Sequence, residues 1–185
     1  MLPKSSASIT PLRALTTSRH QIPAHGFIPN TSISHHPLLI YHGAFQQPVN
    51  PSSVEQHLTA FGVVKPHWRY SMYTKTHFHS TAHEVLVVTD GRARLNFGGE
   101  ENPGRVELTV DPGDVIVIPA GVSHRLLHDE SGAFAMVGSY PVNSRQWDMC
   151  YGGPDDEDKV NGIGGLSWFE RDPVYGDDGP VLHGD

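Results

Sequence analysis

From Trp68 onward, apolar and polar residues alternate in short runs. These are WRYSMYTKTHFH, HEVLVVT, ARLNFGG, RVELTV, DVIVIP, HRLLHD and AFAMVGSYP. A period of two sends successive side chains to opposite faces of a strand. Turn chemistry separates the runs: Asp90-Gly91, Gly98-Gly99, Asn102-Pro103-Gly104 and Asp111-Pro112-Gly113-Asp114. The last fits a type II turn, with Pro112 fixing φ and Gly113 supplying the positive φ that follows. Upstream, the apolar run Pro37–Phe45 predicts a first strand. Ser52 and Glu55 then have capping-box spacing, and Val54, Leu58 and Phe61 recur at helical intervals, predicting one short helix that ends near Gly62. Many short strands joined by tight turns predict an antiparallel sandwich or barrel.

Composition supports this and narrows function. A chain of 185 residues suits one domain with its own core, and 19 Gly with 15 Pro suit a turn-rich fold. One Cys excludes a disulfide framework and any Cys-rich zinc site. No apolar run reaches the roughly 18 residues of a membrane span. A formal charge of −7 argues against a nucleic-acid partner. Charge is unevenly spread, with no acid before Glu55. The first twenty residues have the Ser/Thr-rich, acid-free composition of a mitochondrial targeting segment, but Pro3 and Pro11 break the helix such a segment needs. Residues 1–24 are therefore expected to be a polar tail, with the cytoplasm as the compartment and the mitochondrion as the alternative. Residues 25–142 are assigned to the β domain. The acidic stretch 143–185 interleaves Trp147, Tyr151, Trp168, Phe169 and Tyr175, which predicts an extension packed on or near that domain.

Thirteen histidines stand out, since His is the commonest metal ligand. His77-x-His79 is followed by Glu84 and Gly91, and Gly113 leads through Pro119-x-Gly121 to His124. Residues i and i+2 on a strand share a face, so His77 and His79 present two imidazoles together. A turn at Ser80–His83 lets Glu84 return beside them, and the Pro119–Gly121 corner sends His124 inward from a later strand. Three nitrogens and a carboxylate suit Fe(II), Mn(II), Ni(II), Co(II) or Zn(II). By alternation His128 shares the face of His124 and Leu126. If the strand is unbroken, Tyr73 and Lys75 share the face of His77 and His79. His83 points away.

These two blocks resemble the paired motifs of the cupin superfamily. The resemblance implies an all-β, small jelly-roll barrel, here with one short N-terminal helix and an irregular C-terminal strap. It also implies one divalent metal ion per chain, held by His77, His79, Glu84 and His124. The chain departs from the pattern twice: Ser71 stands where a glycine is expected, and His128 where an asparagine is. LLIYHGAF, HSTAHEVL, DVIVIPAGVSH, YPVNSRQWDMCYG and DPVYGDDGP bring it closer to the YjlB-type cupins, a resemblance running from about Phe27 to Val181.

The function expected is that of a metal-dependent enzyme acting on a small enol, diol or carboxylate, with Fe(II) or Mn(II) favoured. Oxygen-activating oxidoreductase chemistry comes first. A redox-neutral isomerase, decarboxylase or lyase is second, with His128 or Tyr73 as proton carrier. A non-enzymatic cupin that binds a small ligand or metal is third. Partners beyond a small-molecule substrate are confined to a second copy of the chain, since the Pro37–Phe45 strand could join a neighbour's sheet.

Overall fold

The computed structural model describes residues 7–184, so residues 1–6 of the expected tail and residue 185 lie outside it. In chain order the elements are β1 (Thr16–His20), β2 (Leu38–His42), α1 (Pro51–Phe61), β3 (Val64–Tyr70), β4 (Glu84–Asp90), β5 (Ala93–Phe97), β6 (Val106–Val110), β7 (Val115–Ile118), β8 (His124–Asp129), β9 (Ala135–Pro141) and α2 (Glu157–Asn161). The strands form two antiparallel sheets, β1-β2-β7-β4-β9-β3 and β6-β5-β8. This is the all-β jelly-roll class, with the ladder left open between the sheets.

The larger sheet is buried on both faces. Its inner face (Leu38, Ile40, Leu86, Val88, Ile116, Ile118 and Met136) meets Leu95, Phe97 and Val110 of the smaller sheet. Its outer face (Leu39, Tyr41, Val85, Val87, Val115, Val117 and Val137) is covered by Val54 and Leu58 of α1 and by Phe169, Val174 and Val181 of the C-terminal strap. Double burial explains why β2, β4 and β7 read as nearly unbroken apolar runs. Parity still sorts them: even-numbered residues of β4 face inward and odd-numbered ones outward.

Four local expectations change. Helix α1 starts two residues before the capping-box reading, because Asn50 is the N-cap, its side chain accepting from Ser53 N–H, and Pro51 takes the first helical position. Glu55 instead forms a bidentate pair with Arg69 at 2.7 and 2.8 Å. Within the stretch expected as a polar tail, Thr16–His20 is the edge strand paired with β2. The Pro37–Phe45 segment that could have joined a neighbour's sheet is hydrogen-bonded on both sides inside its own chain, to β1 and β7. The long strand read from Trp68 to His79 breaks after Tyr70 and resumes only as bridges at His77 and Phe78. The turn reading at Asp111–Asp114 matches the structure: Gly113 has φ +100°, and a side chain there would run into the Phe45 carbonyl.

Candidate metal centre

Three strand systems converge at one end of the interior. Glu84 opens β4 on its inward parity, His124 opens β8, and His77 pairs with His124 in a short bridge that carries His79 beside it. All four side chains are buried. One ring nitrogen from each of His77, His79 and His124 falls within 4.8 Å of the others. Glu84 Oε2 lies 3.4 Å from His79 Nε2 and 3.2 Å from His124 Nε2.

The other ring nitrogens fix the tautomers. His77 Nδ1 meets the Lys75 carbonyl at 2.8 Å, His124 Nδ1 meets the Val122 carbonyl at 3.1 Å, and His79 Nδ1 meets the Asp148 carbonyl. A carbonyl can only accept, so each Nδ1 carries the proton and each Nε2 turns a lone pair toward the shared point. Glu84 Oε1 accepts from the Tyr140 hydroxyl at 2.9 Å, while Oε2 is buried with no hydrogen-bond partner. Lone pairs facing a carboxylate oxygen across a buried gap call for a cation between them. The residues present therefore fit a divalent metal, which His77, His79, Glu84 and His124 could hold.

The electrostatics keep Glu84 ionised. Burial opposes charge on Glu84, but the imidazoles of His79 and His124 outweigh it and hold the carboxyl well below its usual range. Burial, aided by nearby His124, pushes His77 down to about 3. At His79 burial also opposes the charged ring, yet the Glu84 carboxylate prevails and raises it. Burial and the Glu84 charge push the Tyr140 hydroxyl up, which keeps it a donor.

Above this centre opens a cavity of about 280 Å³, walled by Trp68, Met72, Leu86, Met136, Tyr140, Trp147 and Met149. Tyr73 stands at its rim, half-exposed, with its ring 5.5 Å from that of His77. Lys75 is outside the cavity, its ammonium 4.0 Å from the centre of the Tyr151 ring. His128 is not in the site. Leu95 pairs with Leu126 but Arg94 pairs with His128, so Leu127 is a bulged extra residue that reverses parity and puts His128 on the exposed outer face.

The spacing argument missed several groups. Tyr140 donates to Glu84 and accepts from Trp68 Nε1 at 2.9 Å. The Trp68 indole lies across Gly138, where even a Cβ would fall 2.1 Å from the ring. Asp148 offers its carbonyl to His79, and its carboxylate takes Ser80 N–H at 2.7 Å together with the Ser80 hydroxyl. Aromatic and acidic residues at 140, 147 and 148 were visible in the sequence, but nothing local ties them to residues some sixty positions earlier.

Among solved structures, the fold is similar to a vicilin from hazelnut (Corylus avellana), at 22% identity and TM-score 0.36, covering 63% of this chain and 26% of that one. It is also similar to an oxalate decarboxylase variant from Bacillus subtilis, at 13% identity and TM-score 0.34, covering 62% and 22%. The chain thus spans about a quarter of the length of these structures. "Uncharacterized protein YjlB" of Bacillus subtilis (strain 168) is 33% identical over 167 residues, which is 90% of this chain and 94% of that protein. The cupin family model matches residues 46–144, stopping just short of Trp147 and Asp148. Barrel, motif spacing and both sequence matches agree: the chain belongs to the cupin superfamily, in its YjlB-type branch.

Proposed function

We propose that this cupin is a metal-dependent enzyme acting on a small enol, diol or carboxylate, and that its reaction is an oxygen-activating oxidation. One observation carries the reading: three tautomer-locked Nε2 atoms and an unpaired Glu84 Oε2 converge at the floor of an apolar-walled cavity. A divalent ion there supplies Lewis acidity and, if it is Fe or Mn, a second valence state. The protein's own part is positional. Tyr140 steadies the Glu84 carboxylate, and Trp68, Met72, Met136 and Trp147 keep water away from a bound substrate.

The redox-neutral alternative needs a residue that moves a proton. His128 sits on the outer face, and the Tyr140 hydroxyl is engaged by both Glu84 and Trp68. Tyr73 at the rim remains as the carrier, which weights the choice toward oxidation.

The test is metal analysis of protein purified without chelator, followed by oxygen-uptake assays with catechols, enols and 2-keto acids. Bound Fe or Mn with substrate-dependent uptake supports the proposal. Zn or Ni with turnover but no uptake moves it to the redox-neutral class, and metal without turnover of any compound moves it to a binding role. Absence of metal binding overturns all three.

A further inference from the structure

We infer that the cavity selects a small molecule with one ionised oxygen-bearing end and an apolar body, against dicarboxylates and polyhydroxy acids. The inference rests on the metal reading above and narrows its substrate class.

Charge comes first. Three neutral imidazoles and one carboxylate around a divalent ion leave a net charge of +1, enough for one monoanionic group. Among the described residues no other free cation faces the cavity. Arg69 borders it, but its guanidinium is held by Glu55 and by the Ser52 hydroxyl at 3.0 Å. Lys75 lies over Tyr151, and Arg125 is paired with Glu100 at 2.7 Å. A second carboxylate would enter without a partner.

The walls make the same selection. Met72, Leu86, Met136 and Met149 present thioethers and methyls, and Trp68 and Trp147 present indole faces. Extra hydroxyls against these surfaces would lose water and gain nothing. The polar groups near the centre are committed: Tyr140 to Glu84 and Trp68, and each Nδ1 to a carbonyl. Tyr73 and Ser71 also line the cavity, but Tyr73 is half-exposed and Ser71 partly so, and a ligand's polar substituent beside them would already meet solvent. At about 280 Å³ the space is at the small end for ligand pockets, suited to a single ring or a short branched chain. Trp147 and Met149 are the walls that the strap adds to the barrel, and we assign Trp147, with its larger indole face, the specificity-determining role.

The experiment loads the full chain with Co(II), measures bound metal, and follows the cobalt visible spectrum during titration with four probes. Benzoate and 3-methylbutanoate represent the apolar monoanions, with succinate and glycerate as dicarboxylate and hydroxy acid of similar size. The expected result is at least tenfold tighter binding of the first pair. In Trp147→Ala that preference falls at least threefold with cobalt content unchanged. Succinate or glycerate binding as tightly as 3-methylbutanoate overturns the inference, as does a Trp147→Ala protein that keeps the full preference. The ranking on the unmodified protein decides the matter even if the variant fails to fold. Failure to load cobalt at all removes the metal reading and this inference together, whereas cobalt loading with a reversed ranking removes only the inference.

Discussion

His83 and Glu84 are neighbours in sequence, equally buried, and on opposite faces of the same sheet. His83 faces outward, under the strap. Its Nδ1 accepts from Ala120 N–H at 2.9 Å, and its Nε2–H donates to the Ser167 carbonyl at 3.1 Å. Every valence it has is used, and burial pushes it down to about 4. Glu84 faces inward, and one of its two oxygens has no partner. The difference shows that burial alone does not separate a structural polar residue from a ligand. What separates them is whether the hydrogen-bonding capacity is exhausted. His83 resembles His77 in burial and in depressed basicity, and what sets it apart is that count.

The largest test of this contrast removes one residue from each side. Glu84→Ala and His124→Ala should reduce bound metal from about one ion per chain to background, while circular dichroism still reports the barrel. His83→Ala should keep the metal and instead destabilise the fold by roughly 1–3 kcal/mol in urea unfolding, since it strands the buried Ala120 N–H. Full metal occupancy in either ligand variant, or metal loss in His83→Ala, would collapse the distinction.

A smaller effect is expected from Asp148, which ties the strap to the metal side. Asp148→Ala frees Ser80 and loosens the carbonyl that holds His79 Nδ1, so metal affinity measured by chelator competition should fall by about 10–100-fold. Unchanged affinity would show that the strap is only a cover.

The outer layer also predicts a pH response independent of metal. His57 on α1 is held down by burial, against a hydrogen bond to the Val174 carbonyl at 2.7 Å that favours its charged form. Its ring stays neutral in the fold, whereas the unfolded chain takes up a proton near the ordinary value of about 6.5. Stability is therefore retained above that pH and lost as pH falls through and below it. With chelator present, unfolding free energies at several pH values should show this slope, to which His77 and His83 also contribute, and His57→Gln should make it shallower. The smallest effect belongs to His128→Ala: on the exposed face it should change stability by no more than about 0.5 kcal/mol and leave metal affinity alone.

The sequence made legible what depends on local periodicity. Alternation located the strands from β2 onward but not β1, and the His77, His79, Glu84 and His124 spacing singled out four side chains that the fold brings together. His128 was misplaced because one bulged residue, Leu127, shifts parity without a Gly or Pro to announce it. The break after Tyr70 likewise undid the assumption of one continuous strand that had put Lys75 beside the histidines. Tyr140, Trp68 and Trp147 were illegible for another reason. Tyr140 and Trp68 reach the centre through pairings between distant strands, and Trp147 on an irregular segment tied back by the Phe78–Cys150 bridge; register over such separations has no local signature.

The link between His79 and Asp148 has a consequence for the order in which the molecule is made. A polypeptide leaves the ribosome from its N-terminal end, so the first pair of imidazoles emerges well before His124, and His124 before the carbonyl that locks His79. Until residue 148 has appeared, His79 lacks the partner that fixes its tautomer, and the cavity lacks its Trp147 wall. Metal capture by the finished site would thus be a late event in the life of the chain. A nascent chain stalled soon after β9 would display the barrel's motif without the affinity of the completed protein.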